Sequence, residues 1–326
     1  MRQWAMPQGL QSKPPTAPPQ CADAVLMVRP VCFGYNPETA ASNAFQKAGE
    51  GAGDGAKARA EFDAFVRALS GEGVTVCVAE DSPDPPKPDA VFPNNWVSFH
   101  GDGTLVLYPM EARSRRIERR QEIIDQVVKE LRFRVTHFID LMHHEDEGRY
   151  LEGTGSLVLD HAARVAYACA SSRTHPELVK EWAEALGYEP LVFQAADSAG
   201  LPLYHTNVLL CIGARMAIVG TEAIAPADRQ RVLGRLRAGG REVIEIGHRE
   251  LGQFAGNMLE LGTWDEALGD SRVLVMSDTA RRALSPETFA QLSGCTDQVL
   301  AVPIPTIERA GGGSVRCMLA EVFRAP

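Results

Sequence analysis

The sequence contains no closely spaced pair of cysteines. Its seven cysteines occur singly, without a Cys-x-x-Cys motif or a nearby histidine that would complete a metal site. Disulfide frameworks and zinc knuckles both depend on such spacing, so neither is predicted, and a reducing compartment fits this composition best. We therefore expect a cytoplasmic protein.

Long apolar runs and an excess of positive charge are also missing. No segment approaches the length of a membrane span, which needs about 18 uninterrupted apolar residues, and the net charge is −9. Nucleic acids and anionic lipids attract proteins through a basic field, which this chain does not have. The composition thus predicts no nucleic-acid or membrane partner and favours a small ligand, cationic ligands included.

The first residues offer little that could pack. Residues 1–22 contain five prolines and four glutamines without an apolar run, so they cannot form a signal sequence and are predicted to be a disordered tail. Residues 23–326 are predicted to be a single domain, because 45% of the chain is apolar and a repeated fold can stay undivided at this length.

Five residues at nearly even spacing each open a hydrophobic strand or hairpin, and we call them the cue residues. They lie 52 to 60 residues apart and are Asn95, Glu152, His205, Asn257 and Cys317. A period in this range predicts stacked or radially repeated modules. Each module reads as a helix, a strand and a hairpin, with helical patterns at 57–70, 111–132, 174–187, 225–236 and 279–293.

The last hairpin is incomplete, because only residues 314–323 remain around the final cue residue. The apolar segment 24–30 can supply the missing strand. Pairing of this N-terminal strand with the C-terminal one would close the modules into a ring and remove exposed sheet edges. We expect the cue residues to converge near the axis of that ring.

Three cue residues have side chains suited to covalent catalysis. Cys317 follows three glycines and a serine, a run that allows close approach of a ligand, and a thiolate is a strong nucleophile. His205 could act as general acid and base, and the glycine-flanked Glu152 could orient it. A lone cysteine or histidine is more often structural, but the shared phase of the repeat favours catalytic roles.

Histidines and carboxylates also cluster at residues 143–147, where all five side chains are of types that can ligate a metal. Adjacent residues seldom point at one centre, and the sequence offers no distant partner. The segment is interpreted as a solvated loop, and no metal is predicted.

Five segments together resemble the superfamily of guanidino-group-modifying enzymes, which have the pentein fold. They are residues 89–95, 151–159, 171–174, 205–210 and 311–322. The resemblance covers residues 24–324 and is greatest to the arginine deiminase-related, citrulline-utilisation (CtlX-like) branch, with similarity to the dimethylarginine dimethylaminohydrolases. It implies an α/β fold, a five-fold pseudosymmetric propeller of ββαβ modules.

The resemblance also implies residue roles. Cys317 would be the nucleophile, His205 the general acid and base, and Glu152 the carboxylate that holds substrate and histidine. Ser114-Arg115-Arg116 and Ser172-Arg173-Thr174 resemble segments that place arginines on a substrate carboxylate, which suggests Arg116 and Arg173. The alternative for the first segment, a solvated basic helix start, stays open.

The guanidinium-binding segment of the dimethylaminohydrolases carries three carboxylates. Here the first is kept as Asp89, and asparagines, Asn94 and Asn95, replace the acidic pair. A carboxylate can only accept hydrogen bonds, whereas an amide can donate one to the carbonyl oxygen of a neutral ureido group. The site is therefore expected to admit citrulline-like as well as arginine-like substrates.

The predicted activity is hydrolysis of a C–N bond through an S-amidino or S-carbamoyl enzyme, without metal or organic cofactor. An amidinotransferase would use the same intermediate, and a non-catalytic binding protein of this fold is the alternative of a different class. A homodimer is compatible with the fold. The segment 32–46 is interpreted as an active-site lid, and Asn257 is assigned only a turn.

Overall fold

The computed structural model describes residues 19–48, 53–265 and 269–324. Most of the predicted tail lies outside these ranges, but its last residues belong to the folded structure. Gln20 Nε2 donates hydrogen bonds to the carbonyl oxygens of Leu159 (3.0 Å) and Ile212 (3.2 Å), and Ala22 is buried. Residues 19–22, which the sequence predicts to belong to the tail, are thus part of the described structure.

The strands of the described ranges are short. In chain order they are β1 (Ala24–Arg29), β2 (Thr75–Glu80), β3 (Val97–Phe99), β4 (Thr104–Leu107), β5 (His137–Asp140), β6 (Val158–Asp160), β7 (Val165–Cys169), β8 (Glu189–Phe193), β9 (Leu210–Ile212), β10 (Met216–Gly220), β11 (Glu242–Ile246), β12 (Leu259–Asp265), β13 (Gly269–Ser277), β14 (Gln298–Val302) and β15 (Ala320–Val322).

One three-stranded unit recurs in the sheets. An antiparallel hairpin is followed by a third strand that runs parallel to its second strand, as in β6-β7-β8, β9-β10-β11 and β12-β13-β14. The unit β3-β4-β5 has the same order. The chain is therefore a mixed α/β protein built from repeats, as the periodicity predicts.

The first strand completes the last unit. β1 pairs with β15 in antiparallel register, with Ala24 opposite Val322, and runs parallel to β2. β15 also pairs with β3 at Val322 and Phe99, which joins two units into a six-stranded sheet. The predicted pairing of the two chain ends is confirmed.

Helices connect the second and third strands of the units or flank them. They are α1 (Pro37–Ala40), α2 (Asp54–Gly71), α3 (Arg113–Arg116), α4 (Gln121–Glu130), α5 (Gly153–Ser156), α6 (Pro176–Leu186), α7 (Pro226–Ala238), α8 (His248–Leu251), α9 (Asp278–Ala283), α10 (Pro286–Gly294) and α11 (Pro305–Gly311). None in the described ranges is long and apolar enough to cross a membrane.

Two predicted helices are each divided into two. The segment 111–132 forms α3 and α4, because Arg120 between them has extended backbone angles. The segment 279–293 breaks before Pro286, which has no N–H to continue the first helix, and Ser285 Oγ caps the second by accepting from Thr288 N. Ends of this kind are set by single residues that a periodic pattern does not reveal.

A buried ion pair links two of the units. Arg241 donates from Nη1 and Nη2 to the two carboxylate oxygens of Asp160, at 2.6 and 2.9 Å, and from Nε to the carbonyl of Gly213. Both charged side chains are nearly inaccessible. Planar, two-point pairing of this kind satisfies both groups away from water.

Candidate active site

Four cue residues occupy equivalent places, each in or just before a one-turn helix that leads into the first strand of a unit. Asn95 ends the turn Pro93–Asn95, Glu152 precedes α5, His205 precedes the turn Thr206–Val208, and Cys317 lies in the turn Val315–Met318. These turns pack against one another. The repeat thus brings together side chains that are far apart in sequence.

The glycines that flank Glu152 make this close packing possible. A Cβ atom at Gly153 would overlap the carbonyl of Asn94. At Gly155 it would overlap Asn95 Nδ2 and lie 2.7 Å from His205 Nδ1. Glycine is required at both positions because other backbone and side-chain atoms occupy the space.

His205 and Glu152 form a buried pair. His205 Nε2 lies 2.9 Å from Glu152 Oε2, and both side chains are almost completely inaccessible. Burial lowers the pKa of His205, although the hydrogen bond and charge of Glu152 act against that shift. The imidazole is therefore neutral at neutral pH, with Nε2 held by the carboxylate and Nδ1 left for proton transfer.

Glu152 is ionised in this pair. Burial alone would raise the pKa of the carboxyl, but the charge of Arg173 and the hydrogen bond with His205 lower it to about 2. Arg173 Nη1 lies 3.6 Å from Glu152 Oε2. An ionised carboxylate behind the ring can stabilise the imidazolium that forms when the ring takes up a proton.

A cavity beside this pair contains both Cys317 and His205. Its remaining lining comes from the predicted binding residues, from the glycine run and from the segment around α1; the lining residues are Thr39, Asn43, Asp89, Phe92, Asn95, Arg115, Arg173, Tyr204, Gly311, Gly312 and Gly313. Of the eight predicted site residues, five line the cavity, and Glu152 lies behind His205.

Arg115, and not the predicted Arg116, lines the cavity. Arg115 is buried, donates from Nη1 to Asn95 Oδ1 at 2.8 Å, and pairs with Glu118. Arg116 is partly exposed and is bound to the carbonyl of Met110 and to Glu145. The two arginines point in different directions because they are adjacent on a single helical turn.

Two polar atoms at the cavity lack partners among the described residues. They are Asp89 Oδ1 and Asn95 Nδ2, both buried. Asp89 Oδ2 is already bound by Asn36 and Thr39, and Asn95 Oδ1 is bound by Arg115. The cavity thus presents one free acceptor and one free donor to whatever enters it.

The predicted Asn94 does not line the cavity. Its carbonyl oxygen accepts from Thr154 Oγ1, and its buried amide has no partner within the described ranges. Asn257, to which the sequence assigns only a turn, contacts the predicted nucleophile: its Nδ2 lies 3.3 Å from Cys317 Sγ. The even spacing that groups Asn257 with Cys317 is the sequence signal for this contact.

The segment interpreted as a lid contributes Thr39 and Asn43 to the cavity lining. Asn43 Nδ2 and Tyr204 Oη donate to the carbonyl of Gly312. Arg173 donates to the carbonyl of Thr39 and to Ser42 Oγ, both in the same segment. Asp89 and Arg173 are thus tied to the segment from inside the cavity.

The histidine cluster outside this cavity has a partner that the sequence does not suggest. Ligand atoms of His143, His144 and Glu181 lie within 4.8 Å of one another. Glu145 instead accepts from Met110 N and pairs with Arg119. The prediction that no distant carboxylate joins the cluster is wrong, while the absence of a metal stays a prediction.

Structural comparison finds related folds at low sequence identity. The N-terminal domain of ArgZ, an arginine dihydrolase from the ornithine-ammonia cycle in cyanobacteria, has a TM-score of 0.71 and 15% identity over 93% of this chain and 98% of the domain. A dimethylarginine dimethylaminohydrolase has a TM-score of 0.63 and 20% identity over 91% and 98%. AgrE, solved with L-arginine, has a TM-score of 0.70 and 18% sequence identity, and the match covers 93% of this chain and 40% of the AgrE chain.

The chain spans 41% of full-length ArgZ, and the ArgZ domain has also been solved with a covalently bound reaction intermediate. No curated protein matches the sequence closely enough to count as a relative. The family model described as N,N dimethylarginine dimethylhydrolase, eukaryotic, matches residues 29–324. The chain therefore belongs to this dimethylarginine dimethylhydrolase family within the pentein superfamily.

Proposed function

We propose that the protein is a cysteine-dependent hydrolase of the terminal guanidino or ureido group of an arginine- or citrulline-like amino acid. One observation carries the proposal: Cys317 and His205 share a cavity with an unpaired carboxylate oxygen of Asp89 and an unpaired amide donor of Asn95. The related arginine dihydrolases and dimethylaminohydrolase support the reaction class.

In the first step, Cys317 Sγ forms a bond to the central carbon of the guanidino or ureido group. The thiol proton passes to neutral His205, whose imidazolium is stabilised by Glu152. The tetrahedral adduct then expels one nitrogen as an amine, which takes that proton from His205. The product of this step is an S-amidino or S-carbamoyl enzyme.

Water completes the cycle. His205, neutral again, removes a proton from water as the water oxygen attacks the thioester-like carbon. The C–S bond breaks, and the cysteine sulfur recovers a proton from His205. The same histidine thus acts in both directions, and no metal or organic cofactor is needed.

Asp89 and Asn95 can each bind a different atom of the guanidino or ureido group of the substrate. Asp89 Oδ1 can accept an N–H from either group, and burial raises the pKa of this carboxyl despite the opposing charge of Arg115 and the hydrogen bonds from Asn36 and Thr39. A bound guanidinium would favour its ionised form. Asn95 Nδ2 can donate to a ureido oxygen, which a carboxylate cannot do.

Arg173 is the proposed partner of the substrate α-carboxylate, because it lines the cavity and its guanidinium can bind a carboxylate at two points. It must first release the covering segment at Thr39 and Ser42. We propose that this segment opens to admit substrate. Arg116, outside the cavity lining, is a further α-carboxylate candidate only if the opening brings the substrate to it.

The recurring three-stranded units favour a five-bladed propeller, which we propose as the arrangement of the fold in agreement with its pentein relatives. In such a ring the equivalent turns of the units face one axis. The cavity at the meeting point of those turns is consistent with this arrangement.

The test is a product assay with arginine, methylated arginines, agmatine and citrulline, with and without glycine as an amine acceptor. The proposal predicts release of ammonia or an alkylamine with arginine- or citrulline-type substrates, independent of glycine. Product formation only with glycine would instead establish a transferase. Absence of any product would overturn the proposed activity.

A further inference from the structure

Two buried amides meet the sulfur of the catalytic cysteine. Asn257 Nδ2 lies 3.3 Å and Asn207 Nδ2 lies 3.5 Å from Cys317 Sγ. Both asparagines are inaccessible or nearly so, and the sulfur itself lies in a residue that is only 4% exposed. The roles assigned to Cys317, His205 and Glu152 do not account for why these two amides lie against the sulfur.

The orientation of the Asn257 amide follows from its other partners. Its Oδ1 accepts from the backbone N–H of Arg316 at 3.1 Å, and its Nδ2 donates to the backbone carbonyl of Asn207 at 2.9 Å. A backbone N–H can only donate and a carbonyl can only accept, so the two bonds fix which end is nitrogen. The second hydrogen of Nδ2 is left for the sulfur.

A buried thiolate needs such donors. Burial disfavours the charged form of a thiol, and an adjacent cation usually offsets that cost in reactive cysteines. Here the imidazole of His205 is neutral in the free enzyme and brings no positive charge to the sulfur. The guanidinium groups of Arg115 and Arg173 line the same cavity but are paired with Glu118 and Glu152, and Asp89 adds a carboxyl group to the lining. Two amide N–H groups can stabilise the thiolate directly, because hydrogen bonds to the charged form favour it.

We propose that Asn207 and Asn257 form a two-amide cradle that stabilises the thiolate form of Cys317 relative to the thiol, and so assists transfer of the thiol proton to His205. The inference rests on the proposed role of Cys317 as nucleophile. Asn257 also accepts a hydrogen bond from the backbone of Arg316, whereas the side chain of Asn207 makes a hydrogen bond only to the sulfur among the described residues, and its Oδ1 has no partner there. Asn207 is therefore the cleaner position to change.

The cradle can be tested without substrate. Iodoacetamide alkylation of Cys317 is followed as a function of pH by peptide mass spectrometry, which separates this residue from the other cysteines. In Asn207→Ala, the midpoint of alkylation should rise by about one pH unit, the equivalent of one ordinary hydrogen bond to the sulfur. Asn257→Ala should shift it in the same direction.

Asn43→Ala is the matched control. It removes a buried amide that donates to the neighbouring Gly312 carbonyl but has no contact with the sulfur. Loss of this bond would loosen segment 32–46 and admit water to the thiolate. The pH midpoint of Cys317 alkylation should therefore stay the same or fall. A rise in this variant as large as in Asn207→Ala would contradict the cradle.

The outcomes separate the cradle from a structural role and from the proposed activity. If Asn207→Ala and Asn257→Ala lose activity with an unchanged midpoint, the amides only position Cys317, and the inference is wrong. If the midpoint rises but no guanidino or ureido compound is turned over, the cradle stands and the proposed function fails. Thermal melting checks that each variant is folded. If Asn257→Ala unfolds, the test rests on Asn207→Ala alone, because that substitution keeps the backbone carbonyl of residue 207 to which Asn257 donates.

Discussion

Arg115 donates from Nη1 to Asn95 Oδ1 at 2.8 Å, and this contact determines what Asn95 offers to a substrate. A guanidinium has no acceptor, so the oxygen of the amide must face Arg115. The amide nitrogen is then turned away and has no partner among the described residues. The bond from Arg115 thus fixes the orientation of the Asn95 amide, so that its nitrogen is the atom left to donate to a substrate.

Asn95→Asp should shift substrate preference from ureido to guanidino groups. The carboxylate cannot donate to a ureido oxygen, and a buried acceptor left unpaired costs about 1–3 kcal/mol. We expect the ratio of kcat/KM for arginine-like over citrulline-like substrates to rise by about tenfold. Steady-state kinetics on both substrates measure this ratio, and Asn94→Asp, outside the cavity lining, is the control. An unchanged ratio of kcat/KM in Asn95→Asp would refute the role of Asn95.

Arg115→Ala should impair catalysis more than Arg116→Ala. Loss of Arg115 frees Asn95 Oδ1 and leaves buried Glu118, whose pKa burial already raises to about 7 against the charge of Arg115, without its partner. We expect a fall in kcat/KM of about tenfold or more for Arg115→Ala, since about 1.4 kcal/mol of lost positioning suffices for that factor. A greater loss in Arg116→Ala, at equal thermal stability, would restore the sequence-based assignment.

The value of kcat/KM should be maintained to a lower pH than an ordinary histidine base would allow. Because burial lowers the pKa of His205, the neutral base remains available below the ordinary titration range of histidine, and kcat/KM is lost only as pH falls through the lowered pKa. In Glu152→Gln the counter-charge that raises this pKa is gone, so the acid limb should move to lower pH while kcat falls about 10²–10⁴-fold. An acid limb that moves to higher pH would contradict the pairing.

Asp160→Asn should destabilise the fold without touching the active site. It leaves the guanidinium of Arg241 buried beside a neutral amide, and breaking one side of a buried ion pair costs about 3–5 kcal/mol. Urea unfolding measures the loss. Glu189→Gln, which breaks an exposed pair with Arg235, is the control and should cost less than about 1 kcal/mol; equal losses would show that the buried pair has no special role.

The sequence predicted the repeat because hydrophobic periodicity and the even spacing of the cue residues are local properties of the chain. The same spacing predicted that Glu152, His205 and Cys317 would lie close together, and the glycines beside Glu152 reflect the close packing of the turns. The choice between Arg115 and Arg116 depends on which side of a single helical turn faces inward. Glu118, three residues after Arg115, was the available signal, since pairs at that spacing meet on a helix.

The contacts of Asn207 and Asn257 with Cys317 could not be predicted in the same way. They join residues that are 60 or more positions apart, and they depend on how the turns of different units are placed relative to one another. Spacing indicates that such residues are equivalent, but it does not give the direction of a side chain. The same holds for Glu181 beside His143 and His144.

As the proposed nucleophile, Cys317 should form a covalent bond to the substrate carbon during turnover. The most direct measurement is acid quenching of the protein during turnover of arginine and of citrulline, followed by peptide mass spectrometry. We expect an amidino or carbamoyl group on Cys317 during turnover, and neither adduct nor product in Cys317→Ser. Product formation by Cys317→Ser, or an adduct on a different residue, would contradict this role of Cys317.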